Sequence, residues 1–342
     1  VRIAQIAPCW ITVPPAGYGG IELVVSLLTD ELFERGHEVT LFASGGSETK
    51  ADLVSYYETP PGTAALVGDP LAELPHLLHA YSRAAEFDVI HDHSAPLGCS
   101  IGAQISRPPV VHTIHGPLFD GRPKEVYPLI AGRVHLVSIS DFQRNGLPDI
   151  PYAGTVYNGI DVKAYEVSPT KDEYLLFLGR MSPDKGAHLA VEAAKRLGRK
   201  LIIATKMVEP MELAYYDGTV KPLLTGEEEI LGEISFAEKV RLYSRAYCTL
   251  MPIQWPEPFG LVMTESMACG TPVVAYHNGA VPEIIDHEET GFIVEDFEAF
   301  VAAIGRASAI DPQACRAAVE ERFSTGAMVD GYENLYRGLA TG

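Results

Sequence analysis

The sequence predicts an α/β protein made of two doubly wound domains. Three observations carry that expectation. The chain has 342 residues, enough for two domains at roughly 100–200 residues each. A strand–turn–helix–strand grammar opens the chain and starts again in its second half. Apolar residues at 47% against 21% charged are the balance of packed cores and not of a disordered acidic chain.

Residues 3–7 read as an apolar first strand, followed by a Gly- and Pro-rich turn. A helix follows with Ile21, Val24, Val25, Leu28 and Leu32 at helical spacing. It stops at Gly36, just after Arg35, where a glycine cap and a cation both suit a helix end. Residues 39–43 form the next strand and complete a β-α-β unit. Strand-like runs recur at 87–90, 110–114 and 134–138, each followed by a turn or helix signal, which implies a parallel sheet covered on both faces. The second series begins after Asn158-Gly159-Ile160-Asp161, with a strand at 174–178, a helix carrying Leu189, Ala190, Ala193, Ala194 and Leu197, and a strand at 201–204. Between the series lies 162–172, whose Ser168-Pro169-Thr170-Lys171-Asp172 reads as an interdomain linker, so the boundary is expected near residue 165. Ligands in such sheets bind beyond the carboxyl ends of the strands.

Charge narrows the partners. With 26 Lys plus Arg against 45 Asp plus Glu the net charge is −19, which repels a phosphate backbone, so no nucleic-acid partner is expected. No apolar run approaches the roughly 18 residues that span a bilayer. The amino terminus, with one cation and a short apolar stretch, reads as a strand and not a signal peptide. The five cysteines have no close pair, against a disulfide framework or structural zinc, and the expected compartment is the cytoplasm. Residues 1–162 carry a net −9, and the candidate helix at 71–87 has only Arg83 as a cation. Strong membrane anchoring is therefore not expected.

Several segments sit where ligands should. The turn Gly17-Tyr18-Gly19-Gly20-Ile21-Glu22 follows a strand and opens a helix, so its amides suit an anionic phosphate; a turn that merely packs helix on sheet has the same pattern. Glu22 stands where a dinucleotide fingerprint needs its third glycine, and the second strand ends without an acidic residue, which disfavours a nicotinamide dehydrogenase. His91-Asp92-His93 follows the strand 88–90 and His115 follows 110–114. A His-x-His pair beside a carboxylate suits a metal, but no further ligand has recognisable spacing, and hydrogen-bonding histidines are the simpler reading. Gly179-Arg180-Met181-Ser182-Pro183-Asp184-Lys185-Gly186 follows the first strand of the second half. Residues 179–206 carry a net +5, most of it at a helix carboxyl end where cations complement the dipole; Arg180 and Lys185 lack that explanation and suit a diphosphate.

The most informative stretch runs from Glu257-Pro258-Phe259-Gly260-Leu261 through Glu265 to Gly270-Thr271-Pro272-Val273. Pro258 disfavours helix at Glu257, so Glu257 lies in an extended loop, while Gly260 opens a helix that carries Glu265. Eight residues of helix would span about 12 Å, so the pair is a poorer fit to the usual glycosidase spacing of about 5–9.5 Å. The amides of Phe259, Gly260 and Leu261 form a second helix start suited to phosphate.

Together these segments resemble the retaining glycosyltransferases of family 4, over nearly the whole chain: Gly19-Gly20, Asp88-Val89-Ile90-His91-Asp92-His93, Thr113-Ile114-His115-Gly116, Ser138-Ile139-Ser140, Asn158-Gly159-Ile160-Asp161, Gly179-Arg180 with Lys185-Gly186, and Glu257 with Glu265. The resemblance implies the GT-B fold, two Rossmann-like domains facing a cleft. Residues 1–165 would be the acceptor side and 166–324 the nucleotide-sugar side, with a last helix within 325–342 returning to the first domain. It implies that Arg180 and Lys185 neutralise the donor diphosphate and that the Gly19-Gly20 and Phe259-Gly260-Leu261 amides approach its phosphates. Glu265 would take ribose hydroxyls, and Glu257 and His115 the transferred sugar. The donor is then a nucleoside-diphosphate sugar acting as substrate. No metal or other cofactor is called for, and the substitution retains configuration at the sugar. Thr205-Lys206 stands where many members have glycine, so the base pocket is expected to differ. Trp10 and Tyr18 beside the glycine turn, with His93, are the expected acceptor contacts, and the acceptor is expected to be a soluble saccharide or glycoside. A nucleotide-sugar epimerase and a non-catalytic sugar-nucleotide-binding subunit are the alternatives. Base, sugar, acceptor and oligomeric state are not legible.

Overall fold

Seven strands build the first sheet: β1 (Arg2–Ile6), β2 (Glu38–Phe42), β3 (Asp52–Val54), β4 (Val89–Asp92), β5 (Val110–Ile114), β6 (His135–Ser138) and β7 (Tyr152–Thr155). All pairs are parallel, in the order β3-β2-β1-β4-β5-β6-β7. Between strands run α1 (Gly20–Glu34), α2 (Pro70–Ser82), α3 (Pro96–Gly102) and α4 (Pro123–Ile130). The second sheet holds β8 (Leu175–Leu178), β9 (Leu201–Ala204), β10 (Glu229–Leu231), β11 (Cys248–Met251), β12 (Val273–Tyr276) and β13 (Gly291–Val294), parallel in the order β10-β9-β8-β11-β12-β13. Its helices are α5 (Ala187–Leu197), α6 (Pro210–Tyr215), α7 (Phe236–Arg245), α8 (Leu261–Ala268), α9 (Val281–Ile284), α10 (Phe297–Arg306) and α11 (Pro312–Arg322); α12 (Thr325–Ala340) ends the chain. This computed structural model describes residues 1–62, 67–119 and 121–340.

Both sheets are doubly wound with the same reversal of strand order, between β1 and β4 in one and between β8 and β11 in the other. The crevice outside the carboxyl ends at such a reversal is where this architecture holds ligands. Burial explains the strand composition. Central strands covered on both faces read as near-continuous apolar runs, as in β8 and β9, whose Leu175, Leu176, Leu201 and Ile203 are fully buried.

The chain divides into two compact units, one of residues 1–159 with 325–342 and one of 160–324; residues 341 and 342 lie outside the described set. The division falls between Gly159 and Ile160, ahead of the position near 165. The Ile160 amide donates to the Phe323 carbonyl at 2.9 Å, and Ile160 bridges Ser324, which ties it to the second unit. Residues 162–172, expected as a linker, are built into that unit. Tyr165 is buried, and the partly buried Lys171 ammonium donates to the Ser244 and Cys269 carbonyls and to Thr271 Oγ1. A polar, Pro-containing segment reads as a linker only when its side chains have nothing to pack against. α12 belongs to the first unit, where it packs on α1 and β4. The five cysteines are buried free thiols, and among the described residues no helix is long and apolar enough to cross a membrane.

Candidate active site

In the second unit, the loop after β8 carries Arg180 and Lys185, and the loop after β11 carries Trp255 and Glu257. The strand-order reversal makes β8 and β11 neighbours, so residues far apart in sequence meet there. Backbone fastens the loops together: the Gln254 amide donates to the Asp184 carbonyl at 2.7 Å. Gly186 has φ 74°, and a Cβ there would lie 2.1 Å from the Pro252 carbonyl oxygen. Only glycine tolerates both the left-handed conformation and that approach. Gly186→Ala is expected to cost about 2 kcal/mol or more, read as a lowered urea midpoint; an unchanged midpoint would show that the loops are not locked together.

Lys185 Nζ donates to Glu257 Oε2, and Trp255 Nε1 donates to the same oxygen at 3.0 Å. The ammonium also lies 5.0 Å from the Trp255 ring centroid, a cation–π contact. Lys185 and Glu257 side chains are 18% and 12% exposed, enough to meet a ligand and little enough to feel a lowered dielectric. Arg180 is more open, 3.8 Å from Asp184. The two cations that lacked a structural reason in the sequence are thus each countered by a carboxylate. Glu257 itself is held through its backbone: its carbonyl accepts from the Ala280 amide at 2.9 Å, and a Cβ on Gly279 would lie 2.3 Å from its amide nitrogen.

Gly260, at φ 90°, caps α8, whose first amides lack intrahelical acceptors. Phe259 is buried and meets Phe323 edge-on, so this segment offers backbone and not side chain. Glu265, one turn into α8, is buried. Its Oε1 accepts from Tyr165 Oη at 3.0 Å and Lys239 Nζ at 2.5 Å, and its Oε2 from Tyr243 Oη at 3.3 Å. Burial first, and then the carboxylate, push both phenols far up, so each remains a donor. The two glutamates therefore differ: Glu257 is half open beside one cation, whereas Glu265 sits in a closed network. Thr205 is buried and its amide donates to Leu231, while the Lys206 carbonyl accepts from the Met181 amide, bracing the loop that bears Arg180.

In the first unit, Gly19 caps α1, and a Cβ there would lie 2.6 Å from Ile11 Cδ1 and 2.7 Å from Pro15 Cβ. Gly20 is the first residue of α1. Trp10 is partly buried and Tyr18 is 54% exposed. β4 extends to Asp92, so His91 and Asp92 are strand residues and not a turn after it. Asp92 is fully buried and accepts from Tyr81 Oη at 2.6 Å and from the Ser94 amide at 2.7 Å. His93, expected at the acceptor, is 1% exposed with both ring nitrogens engaged, by His115 Nε2 and Gln5 Oε1, each at 2.9 Å. It supports His115 and is turned inward towards Gln5, away from the surface where an acceptor was expected. His115 is partly exposed, with a pKa lowered to about 3 by burial first and by His112 second, so its ring is neutral. His91, also neutral because burial pushes its pKa well down, contacts Tyr336 Oη at 2.6 Å and Thr113 Oγ1 at 2.7 Å.

Gln5, Trp255, Lys239, Tyr165, Tyr332 and Tyr336 complete these arrangements and were not picked out in the sequence. Trp255 had a usable signal, an aromatic two residues before Glu257 in the same loop. Tyr336 had none, being 245 positions from the histidine it contacts.

Comparison with known proteins places the family and the fold. The model for glycosyl transferases group 1 matches residues 161–321, and that for glycosyltransferase family 4 matches 18–164. The chain is 27% identical over 336 residues to the phosphatidyl-myo-inositol mannosyltransferase of Mycolicibacterium smegmatis, covering 89% of this chain and 84% of that protein. Among solved structures it is similar to a glycosyltransferase involved in avilamycin A biosynthesis (27% identity, TM-score 0.75, covering 100% and 98% of the two chains). It also shares its fold with Anabaena HepE in complex with UDP-glucose (20% identity, TM-score 0.78, 100% of both chains).

Proposed function

The chain belongs to the group 1 glycosyltransferases of family 4 and has their GT-B fold, and from that premise we propose that it transfers a sugar, with retention of configuration and without a metal ion, from a nucleoside-diphosphate donor to a hydroxyl of a soluble acceptor. The observation that carries this reading is the partly buried Lys185–Glu257 pair at the β8/β11 reversal, in the loops that also bear Arg180 and lead into α8. The two cations and the helix amides suit the diphosphate and the charge that grows on it as the glycosidic bond breaks. Glu257, beside them, suits hydroxyls of the departing sugar; in the first unit the neutral, partly exposed ring of His115 suits a sugar hydroxyl. Glu265 retains acceptor capacity beyond its three bonds and suits a ribose hydroxyl. A similar fold that binds UDP-glucose supports a nucleotide-sugar donor.

Retention follows when the acceptor oxygen attacks the anomeric carbon from the side the diphosphate leaves. The bond from that carbon to phosphate oxygen breaks, the bond to acceptor oxygen forms, and the acceptor proton passes to the departing phosphate oxygen. Two side-chain cations supply the charge that a metal supplies elsewhere, so EDTA is expected to leave turnover unchanged. Inhibition reversed by added divalent ion would overturn that part.

A thermal-shift panel of UDP-, GDP-, ADP- and dTDP-sugars tests the donor, since a ligand at 100 times its Kd stabilises the fold by about 2.7 kcal/mol. Nucleotide release that depends on acceptor then separates transfer from epimerisation, which leaves the nucleotide attached, and any turnover excludes a silent binding subunit. For the acceptor surface, Trp10→Ala is expected to raise the acceptor KM; unchanged acceptor kinetics would remove Trp10 from that role. The lack of a basic cluster on α2 supports a soluble acceptor, and failure to float with anionic vesicles is the expected result.

A further inference from the structure

A buried polar chain runs beneath His115. Gln5 of β1 is the register partner of His91 of β4; His93, Thr113 and His115 continue the same face upward, since side chains two apart share a face. Tyr332 and Tyr336, one turn apart on α12, cover it. Gln5, His91, His93, Thr113, Tyr332 and Tyr336 are each at most 1% exposed, on strands that burial would ordinarily make apolar. Hydrogen bonds link them in series: His115 Nε2 to His93 Nδ1 (2.9 Å), His93 Nε2 to Gln5 Oε1 (2.9 Å), Gln5 Nε2 to Tyr336 Oη (3.3 Å), Tyr336 Oη to His91 Nδ1 (2.6 Å), His91 Nε2 to Thr113 Oγ1 (2.7 Å) and Thr113 Oγ1 to Tyr332 Oη (2.8 Å).

Such a chain has a direction. Burial pushes the three imidazoles down, and a neutral imidazole has one N–H and one lone pair. Phenols, hydroxyls and neutral imidazoles can each turn either way, but an amide has one end that only accepts and one that only donates. Gln5 therefore sets the sense of the bonds through His93 to His115, and Tyr336, with its one proton given to His91 Nδ1, can only accept from the Gln5 amide. Its oxygen faces His93, so His93 carries its proton on Nε2 and offers Nδ1 as a lone pair. His115 must then donate from Nε2, which leaves its Nδ1 bare; among the described residues no protein donor meets that atom. On the other side, the Gln5 amide donates to Tyr336, whose hydroxyl donates to His91 and on towards Thr113. Turning the amide over would reverse the bonds through His93 and place a proton on His115 Nδ1.

We propose that Gln5, held by Tyr336 of the C-terminal helix, is a positioning residue that fixes His115 as the Nε2–H tautomer and presents its bare Nδ1 to a hydroxyl of the transferred sugar. This rests on the assignment of His115 to that sugar. The same contact ties α12 to transfer through Gln5.

The test is long-range 1H–15N correlation of the whole chain labelled with 15N-histidine. The wild type is expected to show His115 protonated on Nε2 and bare on Nδ1, a result that needs no variant to fold. Tyr336→Phe releases the amide and is expected to give both His115 tautomers. Its kcat/KM for UDP release from UDP-glucose, or GDP release from GDP-mannose, is expected to fall about tenfold, the loss of one hydrogen bond. Binding of UDP or GDP alone, which have no sugar, is expected to change less than about twofold by that same one-contact reasoning. Gln5→Leu should behave as Tyr336→Phe, whereas Gln5→Glu, which still accepts from His93, should keep the wild-type tautomer. A wild-type His115 protonated on Nδ1 overturns the proposal, as does a Tyr336→Phe protein with the wild-type spectrum and turnover. If the wild type turns over no sugar of the UDP-, GDP-, ADP- and dTDP-panel, the transferase reading is what fails, and the spectrum still decides the tautomer.

Discussion

Lys185→Ala and Glu257→Ala each lower sugar transfer by about 100- to 1000-fold, the scale seen when one group aimed at transition-state charge is removed, while leaving the fold intact. The geometry gives both halves of that expectation. Lys185 Nζ meets Glu257 and the Trp255 ring at the mouth of the β8/β11 crevice. Removing it takes away a cation that α8 and Arg180 do not replace. Trp255 still donates to Glu257 in Lys185→Ala, so the carboxylate keeps a partner and the cost in stability is about 1–2 kcal/mol. Lys185→Arg should restore little, because a longer, delocalised guanidinium does not put its charge at the single point where the compact ammonium meets Glu257. Nucleotide release beside a melting curve checks this. Full activity in either variant removes its assigned role.

Glu265→Ala loses stability instead, by about 3 kcal/mol. Its carboxylate is buried and is the common acceptor for Lys239, Tyr165 and Tyr243. Deleting it leaves an ammonium only 19% exposed and two buried phenols without their acceptor, and breaking a buried pair from one side is among the costlier single changes. Glu265→Gln keeps the shape and part of the acceptor capacity, so it should fall between. Urea midpoints with constant slope measure the difference. A Glu265→Ala protein as stable as wild type would mean that the network carries no net stability and that Glu265 is retained for ligand alone.

These two expectations separate glutamates that look equivalent in sequence. The spacing from 257 to 265 and the proline after Glu257 locate one carboxylate in a loop and the other on a helix. They say nothing of Lys239, which approaches Glu265 from α7, or of Trp255, whose ring turns back onto Lys185. The histidines show the same division. His91, His93 and His115 stand out as polar residues at strand ends, but whether each faces ligand or core depends on register and on α12. His93 was expected at the acceptor and lies behind His115, because β4 pairs with β1 and turns it towards Gln5. The segment 162–172 misled for a related reason: its polar residues find partners in the second unit that local composition does not reveal.

Chemistry within about ten residues was readable directly. The β-α-β repeats, the glycine turns at Gly19 and Gly260, the helix that carries Glu265 and the acidic balance all follow from backbone sterics, apolar period and charge, which act locally or sum over the whole chain. The partner of each functional side chain was not readable, since Lys185 with Glu257, Glu265 with Lys239 and His91 with Tyr336 are brought together by strand order and helix packing. Those contacts depend on which distant surfaces bury one another, and the same local patterns fit several pairings until the two sheets are assembled.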